Sequence, residues 1–286
     1  MKIVITGSKG QLGRELLRQL AVLRENGVKL TVVQVDLPEL DITNQAQVTG
    51  LLQSIQPQVV VNCAAYTNVD GCETAEPTAF GINALGARNV ASAAFGVAAK
   101  IVQISTDYVF DGVSDVPRRE YDPANPQSVY GRSKLWGEQL VAATNPRHFI
   151  VRTAWLYGEG HNFVRTMLKL ARERDEVRVV ADQVGSPTST VDLARCILDL
   201  ICTEAYGVYH ATSEGQCSWY EFARKIFELS GLTVKVTPIT TEQLDRPALR
   251  PKFSVLDNFA LQLSGLNRFR DWETALEEYL GGSCSE

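Results

Sequence analysis

Apolar positions recur along this chain with two periods, and the switches between them mark its elements. Residues 2–6 are a short apolar run that stops at glycine, as a strand buried on both faces does. From Gln11 the spacing changes, and Leu12, Leu16, Leu17, Leu20 and Leu23 fall on one helical face. The same alternation predicts a strand over 30–35, a helix around 46–54, a strand over 59–63 and a long Ala-rich helix over 79–99. A strand over 101–105, a helix over 129–144 and a strand over 149–152 follow. Strands alternating with helices for about 150 residues predict an α/β fold with a parallel sheet covered on both faces. Ligands of such sheets lie at the C-terminal ends of the strands.

After Trp155 the pattern loosens. Helices are expected over 163–174, 191–201, 220–230 and 272–279, with short strands over 177–180, 208–210 and 234–237. Polar, Pro-containing connectors over 182–188 and 246–251 separate them. The prediction is a Rossmann-type doubly wound domain over 1–155 and a smaller α/β substrate-binding domain over 156–286. Some later segments are expected to return to the first domain.

Gly7, Gly10 and Gly13 stand directly between the first strand and the first helix. An ordinary strand-to-helix turn needs one glycine. Three in this spacing let backbone N–H groups approach a pyrophosphate at the positive end of a helix. Asp36, ending the second strand, stands where a carboxylate accepts hydrogen bonds from the adenosine ribose. It would repel a 2′-phosphate, so NADH is expected over NADPH, although Lys9 and Arg14 lie near. The competing role for Asp36 is a turn before Pro38. Asp41-Ile42 is a second candidate contact, for the adenine, with helix capping as the alternative for Asp41. Residues 62–66 close the third strand with small side chains across which a cofactor could lie.

Tyr130 and Lys134 are four apart on a helix, one above the other on the same face. An ammonium one turn away favours the phenolate and is expected to lower the tyrosine pKa, making it a proton donor to a carbonyl oxygen. Ser105 and Thr106 are rival hydroxyls at the end of the fourth strand. Alternation points only one of them into the site, and the residues alone do not choose.

Composition narrows the partners. A net charge of −5 with scattered cations gives no nucleic-acid or polybasic membrane footprint. The six cysteines (Cys63, Cys72, Cys196, Cys202, Cys217 and Cys284) show no Cys-x-x-Cys spacing and face only three histidines, which argues against a zinc site. Scattered thiols, a first strand starting at Lys2 and no apolar run of membrane length predict a cytoplasmic protein.

Residues 6–13, 40–43, 61–70, 105–110, 130–134, 152–157, 162–163 and 182–188 together resemble the dTDP-4-dehydrorhamnose reductase family of the extended short-chain dehydrogenase/reductases. The resemblance implies NAD(P)H-dependent reduction of the 4-keto group of dTDP-4-dehydro-L-rhamnose to give dTDP-L-rhamnose. It implies Tyr130 as acid, Lys134 as its partner and Thr106 as the third catalytic group. Cofactor contacts carry over to Gly10, Gln11, Leu12, Asp41, Ile42, Ala64, Ala65, Tyr66, Tyr130 and Lys134. Substrate contacts carry over to Thr106, Asp107 and Trp155, with Arg250 at the nucleotide-diphosphate end. Tyr66 departs from relatives that carry His. Some members bind magnesium at a dimer interface through glutamates; no cluster here matches, so metal is unassigned and the protein is expected as monomer or homodimer. The alternatives are a nucleotide-sugar epimerase, another keto-sugar reductase, or a dinucleotide-binding regulatory subunit.

Overall fold

The computed structural model describes residues 1–244 and 246–283. In chain order the first half comprises β1 (Lys2–Thr6), α1 (Gln11–Glu25), β2 (Thr31–Val35), α2 (Gln45–Ile55) and β3 (Val59–Asn62). Then come α3 (Val69–Thr74), α4 (Glu76–Phe80), a π-helical turn over Gly81–Gly86, α5 (Ala87–Gly96), β4 (Lys100–Thr106), α6 (Val129–Thr144) and β5 (His148–Thr153). The second half holds β6 (Leu156–Tyr157), α7 (Phe163–Glu173), β7 (Glu176–Val180), β8 (Val184–Gly185), β9 (Thr188–Ser189), α8 (Thr190–Ile201) and β10 (Gly207–His210). It ends with β11 (Cys217–Ser218), α9 (Trp219–Leu229), β12 (Lys235–Ile239), α10 (Phe259–Leu263) and α11 (Trp272–Ser283).

Six strands form one parallel sheet in the order β10-β5-β4-β3-β1-β2. Period-two alternation sends its side chains into two cores. Ile3, Ile5, Val59, Val61 and Val102 pack with Leu12, Leu16, Leu20 of α1 and Leu193, Ile197 of α8. Val4, Val60 and Ile101 face the opposite way, against α2 and α5. A third cluster gathers Val164, Met167, Val177, Val179, Phe222, Ile226, Trp272 and Leu276 from the C-terminal half.

Two local expectations differ. Leu23 does not join the buried face of α1, because the last turn of that helix is solvent-exposed. The helix expected over 79–99 ends at Gly96 and contains the π-helical turn. There Asn83 is drawn onto the backbone of Tyr66 and the hydroxyl of Ser133, which competes with regular helical winding.

Candidate active site

From β1 the chain passes to β2 on one side and later to β3 on the other, so a crevice opens at the ends of β1 and β3. Gly7 takes a left-handed φ of +63°, and a Cβ on it would lie 2.6 Å from the Ala64 nitrogen. A Cβ on Gly13 would lie 2.5 Å from the Gly7 carbonyl oxygen. Loop, helix start and β3 are thus pressed together by missing side chains. Gly10 caps α1 without a side-chain acceptor, leaving the helix N–H groups free for an anion. Gln11 Oε1 is buried there with no hydrogen-bond partner. A cleft of about 840 Å³ runs from this cradle past Asp36, Asp41 and Ile42, then Ala64, Ala65 and Tyr66. It reaches Thr106, Asp107, Tyr130, Lys134, Trp155 and Trp219. A glycine cradle, small walls and an unpaired amide oxygen fit a dinucleotide. Gly13→Ala is expected to weaken dinucleotide binding at least about tenfold, roughly 1.4 kcal/mol, in a calorimetric titration; unchanged affinity would refute the cradle.

Asp36 uses both oxygens locally: Oδ2 accepts from the Lys9 backbone N–H and Oδ1 from that of Leu37, each at 2.8 Å. The turn role and a place on the cleft wall therefore coexist. Asp41 does not cap α2. Its Oδ1 accepts from the backbone N–H and hydroxyl of Thr43, and Asn44 caps the helix instead.

Ser128 caps α6 by accepting from the Gly131 N–H, so the helix starts at Val129, one residue before the tyrosine. Tyr130 and Lys134 are both buried. Lys134 Nζ donates to the Ile104 carbonyl at 2.6 Å. Burial brings its pKa down to about 8, against the opposing charge of Glu138 one turn on. Burial pushes the Tyr130 phenol well up, and the Thr106 hydroxyl is the one neighbour that holds it down. The expected lowering by Lys134 is thus absent here, because its ammonium is turned to a carbonyl of β4 rather than to the phenol. The rival hydroxyls separate: Ser105 Oγ donates to Glu138, whereas Thr106 Oγ1 donates to Asp107 Oδ1 at 2.8 Å.

Trp155 adopts a left-handed φ of +48° and stacks flat on Trp219, with ring centroids 3.5 Å apart and planes 7° off parallel. Gly185 makes room, since a Cβ on it would lie 2.4 Å from the indole. Arg250 does not line the cleft. Its guanidinium forks onto Asp70 at 3.0 and 2.9 Å, and Arg246 adds a longer contact to the same carboxylate. In this structure Asp70 occupies the fork that the expected phosphate contact would use.

Two residues escaped the sequence analysis. Asn83 accepts from the Tyr66 N–H and donates to the Tyr66 carbonyl and Ser133 Oγ, linking the cleft wall at Tyr66 to α6 between Tyr130 and Lys134. Its signal was a polar side chain between two glycines in an Ala-rich helix. Trp219 follows the Ser218–Glu221 capping box, which marks a helix start and not a cleft wall. Among the described residues, no group of three or more His, Cys, Asp or Glu side chains could hold a metal, and no helix is long and apolar enough to cross a membrane. Cys63, Cys72, Cys196, Cys202 and Cys217 are free thiols. Cys284 lies outside the described residues.

Comparison with known proteins gives this geometry relatives. A Clostridium acetobutylicum dTDP-4-dehydrorhamnose reductase structure superposes with a TM-score of 0.96 at 53% identity, covering 99% of this chain and 100% of that one. The Bacillus anthracis dTDP-4-dehydrorhamnose reductase, solved in complex with NADP, gives 0.95 at 45% identity over 98% and 99%. The spore coat polysaccharide biosynthesis protein SpsK of Bacillus subtilis is 44% identical, covering 98% of this chain and 96% of its own. The model of the RmlD substrate binding domain family matches residues 1–283, and the chain belongs to that family.

Proposed function

We propose that this protein reduces the 4-keto group of dTDP-4-dehydro-L-rhamnose with a nicotinamide dinucleotide, giving dTDP-L-rhamnose. The observation that carries it is the convergence of the Tyr130 phenol, the Thr106 hydroxyl and Lys134 in the cleft that begins at the glycine cradle. The names of the relatives above, two of them reductases of this sugar nucleotide, support the same substrate.

A bound reduced nicotinamide supplies the hydride for the carbonyl carbon, and its oxidised ring adds a positive charge. Tyr130 donates the proton that the new hydroxyl needs, Thr106 orients the carbonyl oxygen, and Lys134 holds the nicotinamide ribose. The α1 N-terminus and Gly7, Gly10, Gln11, Leu12 and Gly13 hold the pyrophosphate, with Ala64, Ala65 and Tyr66 along the opposite wall. Asp41 and Ile42 border the adenine. Trp155 is a platform for the sugar, and Asp107 contacts it beside Thr106. Arg250 takes the diphosphate by exchanging Asp70 for phosphate oxygens in the same fork geometry. Residues 1–155 bind the dinucleotide and 156–286 mainly the nucleotide sugar. Monomer and homodimer both accommodate this cleft, which lies within one chain.

The direct test follows loss of reduced-nicotinamide absorbance with dTDP-4-dehydro-L-rhamnose. Turnover is expected. Tight dinucleotide binding with no turnover would instead favour a regulatory subunit. Cofactor choice is tested in the same assay. Asp36 beside the ribose is expected to favour NADH by roughly tenfold in kcat/KM, about 1.4 kcal/mol, and Asp36→Ala to narrow that ratio. A clear NADPH preference in the wild type would overturn the role of Asp36; the NADP complex of the Bacillus anthracis relative makes this the sharper arm.

A further inference from the structure

Trp155 and Trp219 both line the cleft, and both are partly buried. Their ring centroids lie only 3.5 Å apart with the planes 7° off parallel, so the two π-faces are nearly eclipsed. Aromatic quadrupoles favour offset or edge-on pairs over that sandwich, so the surroundings and not the pair itself impose it. The backbone points the same way. Trp155 stands at a φ of +48°, which bulky side chains avoid and which persists only where neighbours over-determine it. The Thr188 N–H donates to the Trp155 carbonyl at 3.2 Å and fixes that backbone. The Gly185 backbone abuts Nε1, Cε2 and Cζ2 of the indole, where a Cβ would lie 2.4 to 2.7 Å away. Trp219 covers the ring and is itself backed by Phe163, at 4.5 Å between centroids. Gly185 of β8 pairs with Cys217 of β11, and Trp219 is the first residue of α9 just beyond. One short ladder thus delivers both contacts to the same indole. An aromatic pair serving only the core has no use for an eclipsed stack held open to the cleft.

We infer that Trp219 is the positioning residue of the sugar site, holding the Trp155 indole at one fixed height and tilt against the hexose of the nucleotide sugar. This rests on the substrate proposed above and extends it to a residue that shapes the site without reacting in it. Trp219 and the Gly185 backbone both abut the Trp155 ring, which leaves it no second orientation. A flat apolar surface fixed in advance meets the C–H groups of a pyranose with no side-chain freedom left to lose on binding. The contribution falls on the hexose and not on the nucleoside diphosphate that carries it.

The test titrates the protein, saturated with oxidised dinucleotide, with dTDP-L-rhamnose and separately with dTDP in a calorimeter. Trp219→Ala is expected to weaken dTDP-L-rhamnose roughly tenfold and dTDP by less than about twofold. Trp219→Phe keeps an aromatic face against Trp155 and should recover most of the loss. Gly185→Ala displaces the same indole from its other contact and leaves Trp219 on Phe163. It should reproduce the selective loss even if Trp219→Ala fails to fold. In steady-state kinetics Trp219→Ala and Gly185→Ala should each raise KM for the nucleotide sugar by a larger factor than they lower kcat. Equal weakening of the two ligands, full affinity in Gly185→Ala, a Phe variant no better than Ala, or a fall confined to kcat would overturn the positioning role. A wild type that binds dTDP-L-rhamnose no more tightly than dTDP would sink the proposed substrate itself, and is read before any variant.

Discussion

Tyr130→Phe is expected to lower kcat by roughly 10²- to 10⁴-fold and to leave dinucleotide affinity nearly unchanged. In the proposed reaction the hydroxyl is used only as charge develops on the carbonyl oxygen, so its loss would be felt in the transition state and not in ground-state binding. The fold should tolerate the change. The ring keeps its edge-on contact with Tyr108, at 5.4 Å between centroids, and its place beside Val129 and Cys72. Steady-state kinetics with the nucleotide sugar, beside a calorimetric titration of the dinucleotide, gives both numbers. A variant retaining more than about a tenth of wild-type kcat would show that the proton comes from elsewhere.

Glu138→Ala is expected to destabilise the fold by about 3–5 kcal/mol. The Glu138 and Arg152 side chains are only 5% and 7% exposed, and the guanidinium forks onto the carboxylate at 2.9 and 2.7 Å. Removing the carboxylate leaves a buried arginine without a counter-charge. Its remaining neighbours cannot replace it. His210 is held neutral by burial and by Arg152 itself, its pKa brought down to about 3, and the Phe110 ring offers only its face at 5.2 Å. Urea denaturation measures the loss. Replacing both partners, as Glu138→Leu with Arg152→Met, should recover most of it, because no charge is then stranded. A single-variant loss below about 1 kcal/mol would mean that water reaches the pair.

Much of the molecule was legible from short-range pattern. The run at residues 2–6 gave a strand with Ile3 and Ile5 on one face and Val4 on the other, and both faces are buried. Gly7 and Gly13 announced a close approach of backbone that only glycine permits. Four-residue spacing placed Tyr130 and Lys134 on one side of a helix, where the structure has both facing the cleft. Such features depend on backbone geometry within a few residues, and a linear sequence displays that directly.

What remained hidden depends on partners far apart in the chain. Whether Ser105 or Thr106 faces Tyr130 was decided by Glu138, which lies 33 residues beyond Ser105 and takes the serine hydroxyl. Where Arg250 points was decided by Asp70, 180 residues away. Trp219 became a wall of the cleft because Trp155, held at a positive φ, stacks against it. The downward shift of the Lys134 ammonium and the upward shift of the Asp107 carboxyl come from burial, which no local pattern reveals. Sequence alone determined the sheet, the cradle and the Tyr–Lys pair, because steric limits on φ, ψ and side-chain periodicity act locally. Tertiary structure decided which polar groups are desolvated and what each is paired with, because that free energy depends on surroundings assembled from the whole chain.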